Sequence, residues 1–382
     1  MKPKILAIEA YCPSPADSGG KVRIGHTLRF LSHHFNIDLL TFFQTRSEVA
    51  INKTWFEKLN INPTFFQTVD RHIFSFLKTS IPYWFAPWYS SKLIEKLKNT
   101  KFTNYNTVLV ELTQLLYVVD YLPKTNKKIF VAHDVSTISF WRRLSDVNLI
   151  KKIVHFPRFI EVMVYENHYL KKYDHVVAVS QKDANFLKIF FRLHSVSVIE
   201  NGIEKIDFIP PSPNPASVRL GYLGSPKHTP NKKSIEFITS KIYPILKSKN
   251  FVVNLGGSDA VPSTQKGITT LGFVPSTKKF FEQIDILIAP IFSGSGSRIK
   301  ILESLSFGRP VITTKVGAEG LDLKTPLLTV IPPQYQFSPR IWSKYILQYP
   351  RAFSSDEYTK LAARLNPHQW SHQLEKFITL LK

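Results

Sequence analysis

Short apolar runs alternate with amphipathic segments along almost the whole chain of 382 residues. Each run is typical of a strand buried on both faces, and the segments between them carry apolar residues at helical spacing. Strands that alternate with helices predict an α/β fold with parallel sheets. The predicted strands are Lys4–Ile8, Ile37–Phe43, Thr107–Glu111, Lys128–Ala132, Val176–Val179 and Val196–Ile199 in the first half, and Arg219–Leu223, Phe251–Gly257, Ile284–Ala289 and Val311–Thr314 in the second.

A proline-rich stretch separates the two halves. Ile209–Pro215 contains four prolines, which fix their own φ and restrict the residues before them, so this stretch predicts a semi-rigid hinge. We therefore predict an N-terminal domain over 1–205, a linker over 206–216, a C-terminal domain over 217–365 and a final helix over 366–382. The sequence thus predicts two doubly wound domains.

The stretch from Ile284 to Leu321 has the most specific pattern. A strand runs into a loop of glycine and serine, Ser293–Ser297, and a helix follows that ends at Gly308. Backbone N–H groups of such a loop approach a ligand closely, and the helix N-terminus favours an anion. Arg298 and Lys300, which we expect to be exposed on the first helical turn, then indicate a phosphate site. The alternative is a flexible loop beside two solvated basic side chains.

The same stretch resembles a known family. GSGSRIKILESLSFGRPVITT followed by GAEGL is similar to the donor-binding segment of family-4 glycosyltransferases, in the branch with G-x-G-x-R-x-K-I-L-E. These are retaining enzymes of the GT-B fold. The resemblance implies two Rossmann-like domains facing across a cleft, with a C-terminal helix that crosses back to the first domain.

The resemblance also implies donor-binding roles in the second half. Glu303 matches the glutamate that holds the nucleotide ribose hydroxyls, while Ser295 stands where the family often has a second glutamate that touches the sugar. The arginine that often follows the glycine at Gly224 is absent, so the diphosphate charge falls to other basic residues. The remaining candidates are the loop residues Gly294, Gly296 and Ser297, the basic residues Arg298, Lys300, Lys227, Lys232 and Lys233, and Val274 near the base.

The first half carries the candidates for the reacting end. Gly19 and Gly20 follow the first strand, where the family brings a Gly-Gly pair to the donor or acceptor; the alternative is a plain turn. His133 and Asp134 follow a buried strand. The family has a histidine at this place that hydrogen-bonds the donor sugar, and Asp134 would orient the imidazole ring of that histidine. The alternative is an incidental histidine beside a helix-start aspartate. Glu166 is expected on a helix surface.

A basic and aromatic segment spans 65–98. It has three interpretations: a peripheral membrane contact, a single-stranded nucleic-acid surface, or aromatic core packing beside a solvated helix face that carries Lys92, Lys96 and Lys98. In the first, Trp84 and Trp88 enter lipid. In the last, they are buried.

Composition sets the remaining bounds. The chain has 50 Lys and Arg against 28 Asp and Glu, which indicates an anionic partner or only a basic background. One cysteine, Cys12, excludes a disulfide framework and fits a reducing compartment. The short apolar run at the N-terminus and the lack of a long uncharged stretch predict a cytoplasmic protein, with the inner face of the plasma membrane as the place of any peripheral contact.

The function we predict is transfer of a sugar from a UDP- or GDP-linked donor to an acceptor hydroxyl on a glycan or lipid-linked glycan. Polysaccharide, lipopolysaccharide or glycolipid synthesis would use such a step. We expect no metal, because no Asp-x-Asp pair follows a strand, and no further cofactor or nucleic-acid partner. The alternatives are a nucleotide- or glycan-binding protein of this fold without turnover, and a basic nucleic-acid-binding protein, for which no recognised module is present.

Overall fold

The computed structural model describes residues 2–69, 81–145, 148–209, 218–249, 251–257, 263–293, 298–321, 323–349 and 353–381. The chain divides into two compact units. The N-terminal unit comprises residues 1–200 and 374–382, and the C-terminal unit comprises residues 201–373. Most of the predicted linker, residues 210–217, lies outside the described residues.

The N-terminal unit is built on a seven-stranded parallel sheet with the strand order β3-β2-β1-β4-β5-β6-β7. The strands are β1 Lys4–Glu9, β2 Asn36–Phe43, β3 Asn62–Gln67, β4 Thr107–Glu111, β5 Lys127–Ala132, β6 His175–Ala178 and β7 Val196–Val198. The α-helices are α1 Gly19–Ser32, α2 Arg46–Glu57, α3 Ser91–Lys98, α4 Ser136–Ser145, α5 Leu149–Leu170 and α6 Gln181–Ile189. Short 3₁₀ segments are Ala86–Trp88, Phe102–Asn104 and Thr113–Tyr121.

The C-terminal unit has a six-stranded parallel sheet in the order β10-β9-β8-β11-β12-β13. Its strands are β8 Val218–Leu223, β9 Phe251–Gly256, β10 Ile268–Gly272, β11 Ile286–Ala289, β12 Val311–Thr314 and β13 Leu328–Ile331. Its helices are α7 Thr229–Phe237, which continues through a π turn at Ile238–Ile242 into α8 Tyr243–Leu246, then α9 Thr277–Glu282, α10 Ile299–Ser306, α11 Pro339–Gln348 and α12 Ser355–Leu365. The last helix, α13 Trp370–Leu381, begins in this unit and ends in the N-terminal one. The 3₁₀ segments are Lys247–Lys249, Pro333–Tyr335 and Asn366–His368.

Strand β11 is buried on both faces, as its unbroken apolar sequence predicts. Ile286 and Ile288 belong to one buried cluster, whereas Leu287 and Ala289 belong to another. Side chains alternate between the two faces of a strand, so a strand covered by helices on both sides has no polar face. Gly308 ends α10 with a φ of +71°, the left-handed conformation that glycine adopts without penalty.

The predicted fold class of two doubly wound parallel-sheet domains is confirmed. The last helix, α13, spans the division of the chain, because residues 374–382 belong to the N-terminal unit. There, the hydroxyl of Thr107 on β4 donates to the Leu381 carbonyl at 3.2 Å. None of the helices in the described part of the chain combines the length and apolar composition that a membrane span requires.

Candidate functional site

Two carboxylates lie side by side at the carboxyl edge of the N-terminal sheet. Glu9 ends β1 and Glu111 ends β4, and the two residues are paired in register on adjacent parallel strands. Both side chains are fully buried. The strand order changes direction at β1, and ligands of open α/β sheets bind beside such switch points.

His133 follows β5 at the same edge and is held by Glu111. The imidazole Nε2 lies 2.5 Å from the Glu111 Oε2 atom, and the His133 side chain is 8% exposed. In the tautomer with its hydrogen on Nε2, the imidazole donates to this carboxylate. The other ring nitrogen, Nδ1, has no hydrogen-bond partner among the described residues.

Gly20 packs against the Nδ1 side of the His133 ring, and Nδ1 itself is buried. Gly20 lies in the first turn of α1, and a Cβ atom built on it would be 3.6 Å from Nδ1. An alanine Cβ there would touch the ring at an ordinary van der Waals distance, without a steric clash. The neighbouring Gly19, which begins α1, is exposed. The structure thus brings Gly20 and His133 together within the N-terminal unit.

A buried arginine balances the two carboxylates. Arg23 on α1 is fully buried, and its Nη2 atom donates to the Ile199 carbonyl at 2.9 Å. Burial lowers the pKa of Arg23 to about 10, although Glu111 and Glu9 oppose that change. Burial and the negative charge of Glu111 raise the pKa of Glu9 well above its usual value, and Arg23 offsets part of that increase. Glu9 therefore holds a proton more readily than a solvent-exposed glutamate does.

Two predictions about this region are wrong. Glu111, and not Asp134, orients the imidazole; the Oδ2 atom of Asp134 accepts from the Ser139 hydroxyl at 2.8 Å. Glu166, expected on a helix surface, is buried. Its carboxylate accepts from the Ser136 N–H at 2.8 Å, the Thr137 N–H at 2.7 Å and the Thr137 hydroxyl at 2.6 Å, which fixes the start of α4 directly after the His133 loop.

The carboxyl edge of the C-terminal sheet begins with closely packed glycines. The Gly224 N–H donates to the Gly256 carbonyl at 2.7 Å, and the Gly257 N–H donates to the Gly272 carbonyl at 2.8 Å. Gly257 has a φ of +148°, and a Cβ atom there would lie 2.5 Å from the backbone of Gly224. Only glycine fits at this position.

Lys300 on α10 reaches this edge. Its Nζ atom lies 3.1 Å from Asn231 Oδ1, 3.3 Å from the Tyr222 hydroxyl and 4.5 Å from the centre of the Tyr222 ring. Burial and the positive charge of Arg298 lower the pKa of Lys300 to about 7, against a smaller opposing effect of Glu303. Asn231 also bonds the strand-end loop, because its Nδ2 atom donates to the Ser225 carbonyl at 3.0 Å. The lysine is therefore fixed beside the loop that follows β8.

Glu303 lies one helical turn after Lys300. Burial and the negative charge of Glu204 raise the pKa of Glu303 to about 7, while Lys300 and a hydrogen bond from Thr277 lower it. A cation and an anion one turn apart on the same helix face can bind a diphosphate and a pair of sugar hydroxyls respectively.

The predicted exposure of Arg298 is wrong, because its side chain is buried and its Nε atom donates to the Val316 carbonyl at 3.1 Å. Lys300 is half-buried rather than exposed. Lys232, by contrast, is 65% exposed and lies 4.0 Å from Glu236. Of these three basic residues, Lys300 is the one that the described contacts place beside the loop after β8.

The remaining donor-side candidates are partly described. Val274 is half-buried, and a Cβ atom on Gly256 would lie 2.9 Å from its Cγ2 atom, so it packs directly over the end of β9. Gly294, Gly296 and Ser297 lie outside the described residues, as does Ser295. Within the described ranges no group of three His, Cys, Asp or Glu side chains is arranged to hold a metal.

The described part of the segment 65–98 packs its aromatic residues inward. Trp88 is buried and its Nε1 atom donates to the Ala10 carbonyl at 2.8 Å, and Phe85 is also buried. Trp84 is half-buried and its ring lies 6.0 Å from that of Phe140. Helix α3 buries Leu93, Ile94 and Leu97 and leaves Lys92, Lys96 and Lys98 exposed, while residues 70–80 lie outside the described residues.

Comparisons with known proteins agree with this architecture. A glycosyltransferase from Rickettsia africae matches with a TM-score of 0.66 and 14% identity over 100% of this chain and 98% of that one. HepE of Anabaena, solved in complex with UDP and glucose, matches with a TM-score of 0.63 and 13% identity over 99% of both chains. The fold is GT-B. The α,α-trehalose 6-phosphate synthase from Burkholderia multivorans matches with a TM-score of 0.61 and 10% identity over 100% of this chain and 98% of that one.

Sequence comparison adds one finding in the C-terminal half of this GT-B chain. Residues 217–334 match the family model described as "Glycosyl transferases group 1". No curated protein sequence matches the chain. The matched range includes Val274, Arg298, Lys300 and Glu303, so a glycosyltransferase relationship is supported for the part of the chain that holds the donor-side candidates.

Sequence reasoning missed residues of both clusters, the carboxylates Glu9 and Glu111 in the N-terminal unit and Tyr222 and Asn231 beside Lys300. In the sequence, Glu111 is the last residue of a predicted strand. A charged residue at the end of an apolar strand is the one feature that could have indicated a site role for it. Tyr222 and Asn231 gave no such signal, because a tyrosine in a strand and an asparagine in a helix are common. Their role follows from contacts with Lys300 that the fold alone creates.

Proposed function

We propose that this chain transfers a sugar from a nucleotide-sugar donor to an acceptor hydroxyl, with retention of the anomeric configuration and without a metal. The observation that carries the proposal is the pair Lys300 and Glu303 on α10, one turn apart, inside the range that matches the glycosyltransferase model. The GT-B neighbours support the same function, and the UDP and glucose bound to HepE make a uridine donor the first to test.

Each donor group has a candidate partner in the C-terminal unit. Lys300, in its charged form, neutralises the diphosphate as the bond to the sugar breaks, and Arg298 adds a second positive charge nearby. Glu303 accepts from the ribose hydroxyls. Val274 contacts the base, and the N–H groups of Gly294, Gly296 and Ser297 complete the diphosphate site.

The N-terminal unit supplies the partner for the sugar. His133 presents Nδ1 beside Gly20, and a ring nitrogen in that state accepts a hydrogen bond from a sugar hydroxyl. Gly19 keeps the same helix end free of side chains, and Asp134 adds a carboxylate next to the histidine. The acceptor in this proposal is a glycan or a lipid-linked glycan, as in cell-surface polysaccharide, lipopolysaccharide or glycolipid synthesis.

A panel of UDP- and GDP-sugars tests the proposal. Thermal shift identifies the donor, because a ligand that binds only the folded state raises the melting temperature. Release of nucleoside diphosphate is then measured with and without a chelator, and proton NMR of the product gives its anomeric configuration. We expect chelator-insensitive release and a retained anomer. Binding without release for every donor and acceptor would instead support the second candidate, a GT-B binding protein without turnover, which the serine at position 295 favours.

A further inference from the structure

The first ten residues of α5 carry large apolar side chains that face solvent. Leu149 is 72% exposed, Ile150 75%, Ile153 67% and Val154 59%. These four residues, which we call the α5 surface, are spaced so that they share one face of the helix. Exposed aliphatic residues are common singly, but a contiguous group of this kind marks an interaction site.

Core packing does not explain this part of the helix. The buried residues of α5 are Phe159, Val162, Tyr165, Glu166 and Leu170, all ten or more residues after the start of the helix. The first turn is supported by its cap, since the Asn148 side chain accepts from the Lys151 N–H at 3.0 Å. The helix therefore extends an apolar face beyond the part that the unit buries.

Basic side chains surround this face. Residues 141–160 contain Arg142, Arg143, Lys151, Lys152 and Arg158 and a single acidic residue, Asp146. Lys151 and Lys152 on α5 are exposed, and so are Arg143 and Trp141 on the preceding helix α4, the latter by 54%. An apolar helix face flanked by lysines, with an arginine and a tryptophan exposed on the preceding helix, is typical of a surface that lies in the interface of an anionic bilayer.

The charge also argues against a second copy of this chain as the occupant. A symmetric contact between two copies of the α5 surface would bring Lys151 and Lys152 of each copy towards those of the other. Like charges at such a contact destabilise it, whereas anionic headgroups neutralise them.

We propose that the α5 surface docks onto an anionic lipid bilayer, with its four aliphatic side chains at the boundary between headgroups and acyl chains. Lys151, Lys152 and Arg143 then contact the headgroups. This proposal does not require the transfer reaction, so it stands or falls separately from the proposed function. It also differs from a membrane contact through residues 65–98, which would use Lys92, Lys96 and Lys98.

Vesicle co-sedimentation of the full chain tests the proposal. The vesicles are phosphatidylcholine alone or phosphatidylcholine mixed with phosphatidylglycerol, each at low and high salt. We expect binding to the anionic vesicles that falls with salt, because the charge contribution is screened over about 8–10 Å at physiological ionic strength. Failure of the unmodified chain to bind anionic vesicles would overturn the proposal.

Two variants separate the apolar and the charged contributions. Replacing Leu149, Ile150, Ile153 and Val154 together by glutamine keeps helix propensity and charge, and we expect a loss of at least about 100-fold in vesicle affinity. Lys151→Gln with Lys152→Gln should weaken binding about 30-fold, since each basic residue near an anionic surface contributes about 1 kcal/mol. All six side chains are exposed, so melting temperatures should change little.

Matched controls exclude general effects. Ile51→Gln with Ile189→Gln removes two aliphatic side chains that are 51% and 78% exposed elsewhere on the same unit, and should leave vesicle binding unchanged. Replacing Lys92, Lys96 and Lys98 by glutamine should have at most a small effect. The proposal would be overturned if the four-residue variant bound anionic vesicles with wild-type affinity. It would also be overturned if vesicle affinity were lost only in the variant at Lys92, Lys96 and Lys98. Light scattering that shows a dimer broken by the four-residue variant, without vesicle binding, would overturn it as well.

Discussion

The Glu111 carboxylate lies 2.5 Å from the Nε2 atom of His133, and the ring nitrogen on the other side faces Gly20. The carboxylate comes from the end of β4 and the histidine from the residue after β5, two strands that are hydrogen-bonded neighbours in the sheet. This relationship sets the orientation of the imidazole and turns Nδ1 towards Gly20. It makes Glu111 a positioning residue for His133 in the proposed transfer.

Glu111→Gln should reduce kcat by about 10- to 100-fold and change the KM for the donor little. An uncharged amide can accept from Nε2–H or donate to Nε2, so the tautomer and angle of the imidazole are no longer fixed, and small displacements of a positioned group have effects of this size. Steady-state kinetics and ¹⁵N shifts of the imidazole measure both changes. His175→Gln, at a histidine bonded to Ser197 away from the site, is the control. Unchanged kcat together with an altered tautomer would contradict the role of Glu111.

Gly20→Ala should preserve the fold and impair activity. The new Cβ atom would sit in ordinary contact with His133 Nδ1, at 3.6 Å, and alanine favours a helix more than glycine by about 1 kcal/mol. Gly25→Ala on the same helix, where a Cβ atom would lie 3.5 Å from Pro13, is the matched control. Melting curves and nucleotide release should show two stable variants, of which only Gly20→Ala has reduced turnover. Equal activity of the two would mean that no ligand approaches Nδ1 past Gly20.

Affinity for UDP or GDP should be greatest near pH 7. Lys300 has a lowered pKa of about 7, so its cationic form, which attracts the diphosphate, is lost as the pH rises above that value. Glu303 has a raised pKa of about 7, so its anionic form, which accepts from the ribose, is lost as the pH falls below it. Each loss lowers affinity by at most about tenfold per pH unit. Calorimetry between pH 5.5 and 9 measures the profile.

Two variants show which residue causes the decrease in nucleotide affinity on each side of the pH optimum. Lys300→Met should remove the decrease in nucleotide affinity on the alkaline side. Glu303→Gln should remove only part of the decrease in affinity on the acid side, because the phosphate of the nucleotide itself ionises with a pKa of about 6. Lys232→Met, at an exposed lysine, should reproduce the unmodified profile. An alkaline decrease that persists in Lys300→Met would place the diphosphate on another cation.

Glu166→Ala should reduce the free energy of unfolding by more than about 2 kcal/mol. The substitution leaves the N–H groups of Ser136 and Thr137 and the Thr137 hydroxyl without their buried acceptor, and each unsatisfied group costs about 1–3 kcal/mol. Glu161→Ala, at a half-buried position on the same helix, should cost under about 0.5 kcal/mol. Denaturant unfolding of both variants decides whether Glu166 anchors the start of α4; similar midpoints would show that it does not.

The alternation of apolar runs and helices was sufficient to predict the fold class, because a buried parallel strand such as β11 has no polar face. The sequence was less informative at the sheet edges. Strand β3 contains Pro63, which cannot donate to a ladder and is tolerated at an edge, and β13 has only four residues, so neither was predicted. Short and irregular edge strands give weak periodic signals.

The resemblance named Glu303, Lys300 and His133 as candidate site residues. It did not predict which side chains these residues contact. The pairing of Glu111 with His133 needs the register of β4 and β5, which no short-range pattern specifies. Arg298 was expected in solvent because charged residues usually are, and its burial depends on the backbone carbonyl of Val316, which lies in the loop after β12. Side-chain contacts between distant segments are set by tertiary structure.

Release of nucleoside diphosphate by wild-type and His133→Ala protein, with the donor identified by thermal shift, tests the central claim most directly. The account predicts steady release by the wild type in the presence of a glycan or lipid-linked acceptor. It predicts that His133→Ala lowers the rate at least about 100-fold while nucleoside diphosphate affinity and melting temperature stay close to wild type, since Lys300 and Glu303 are intact. No release from any UDP- or GDP-sugar by the wild type, or full release by His133→Ala, would contradict it.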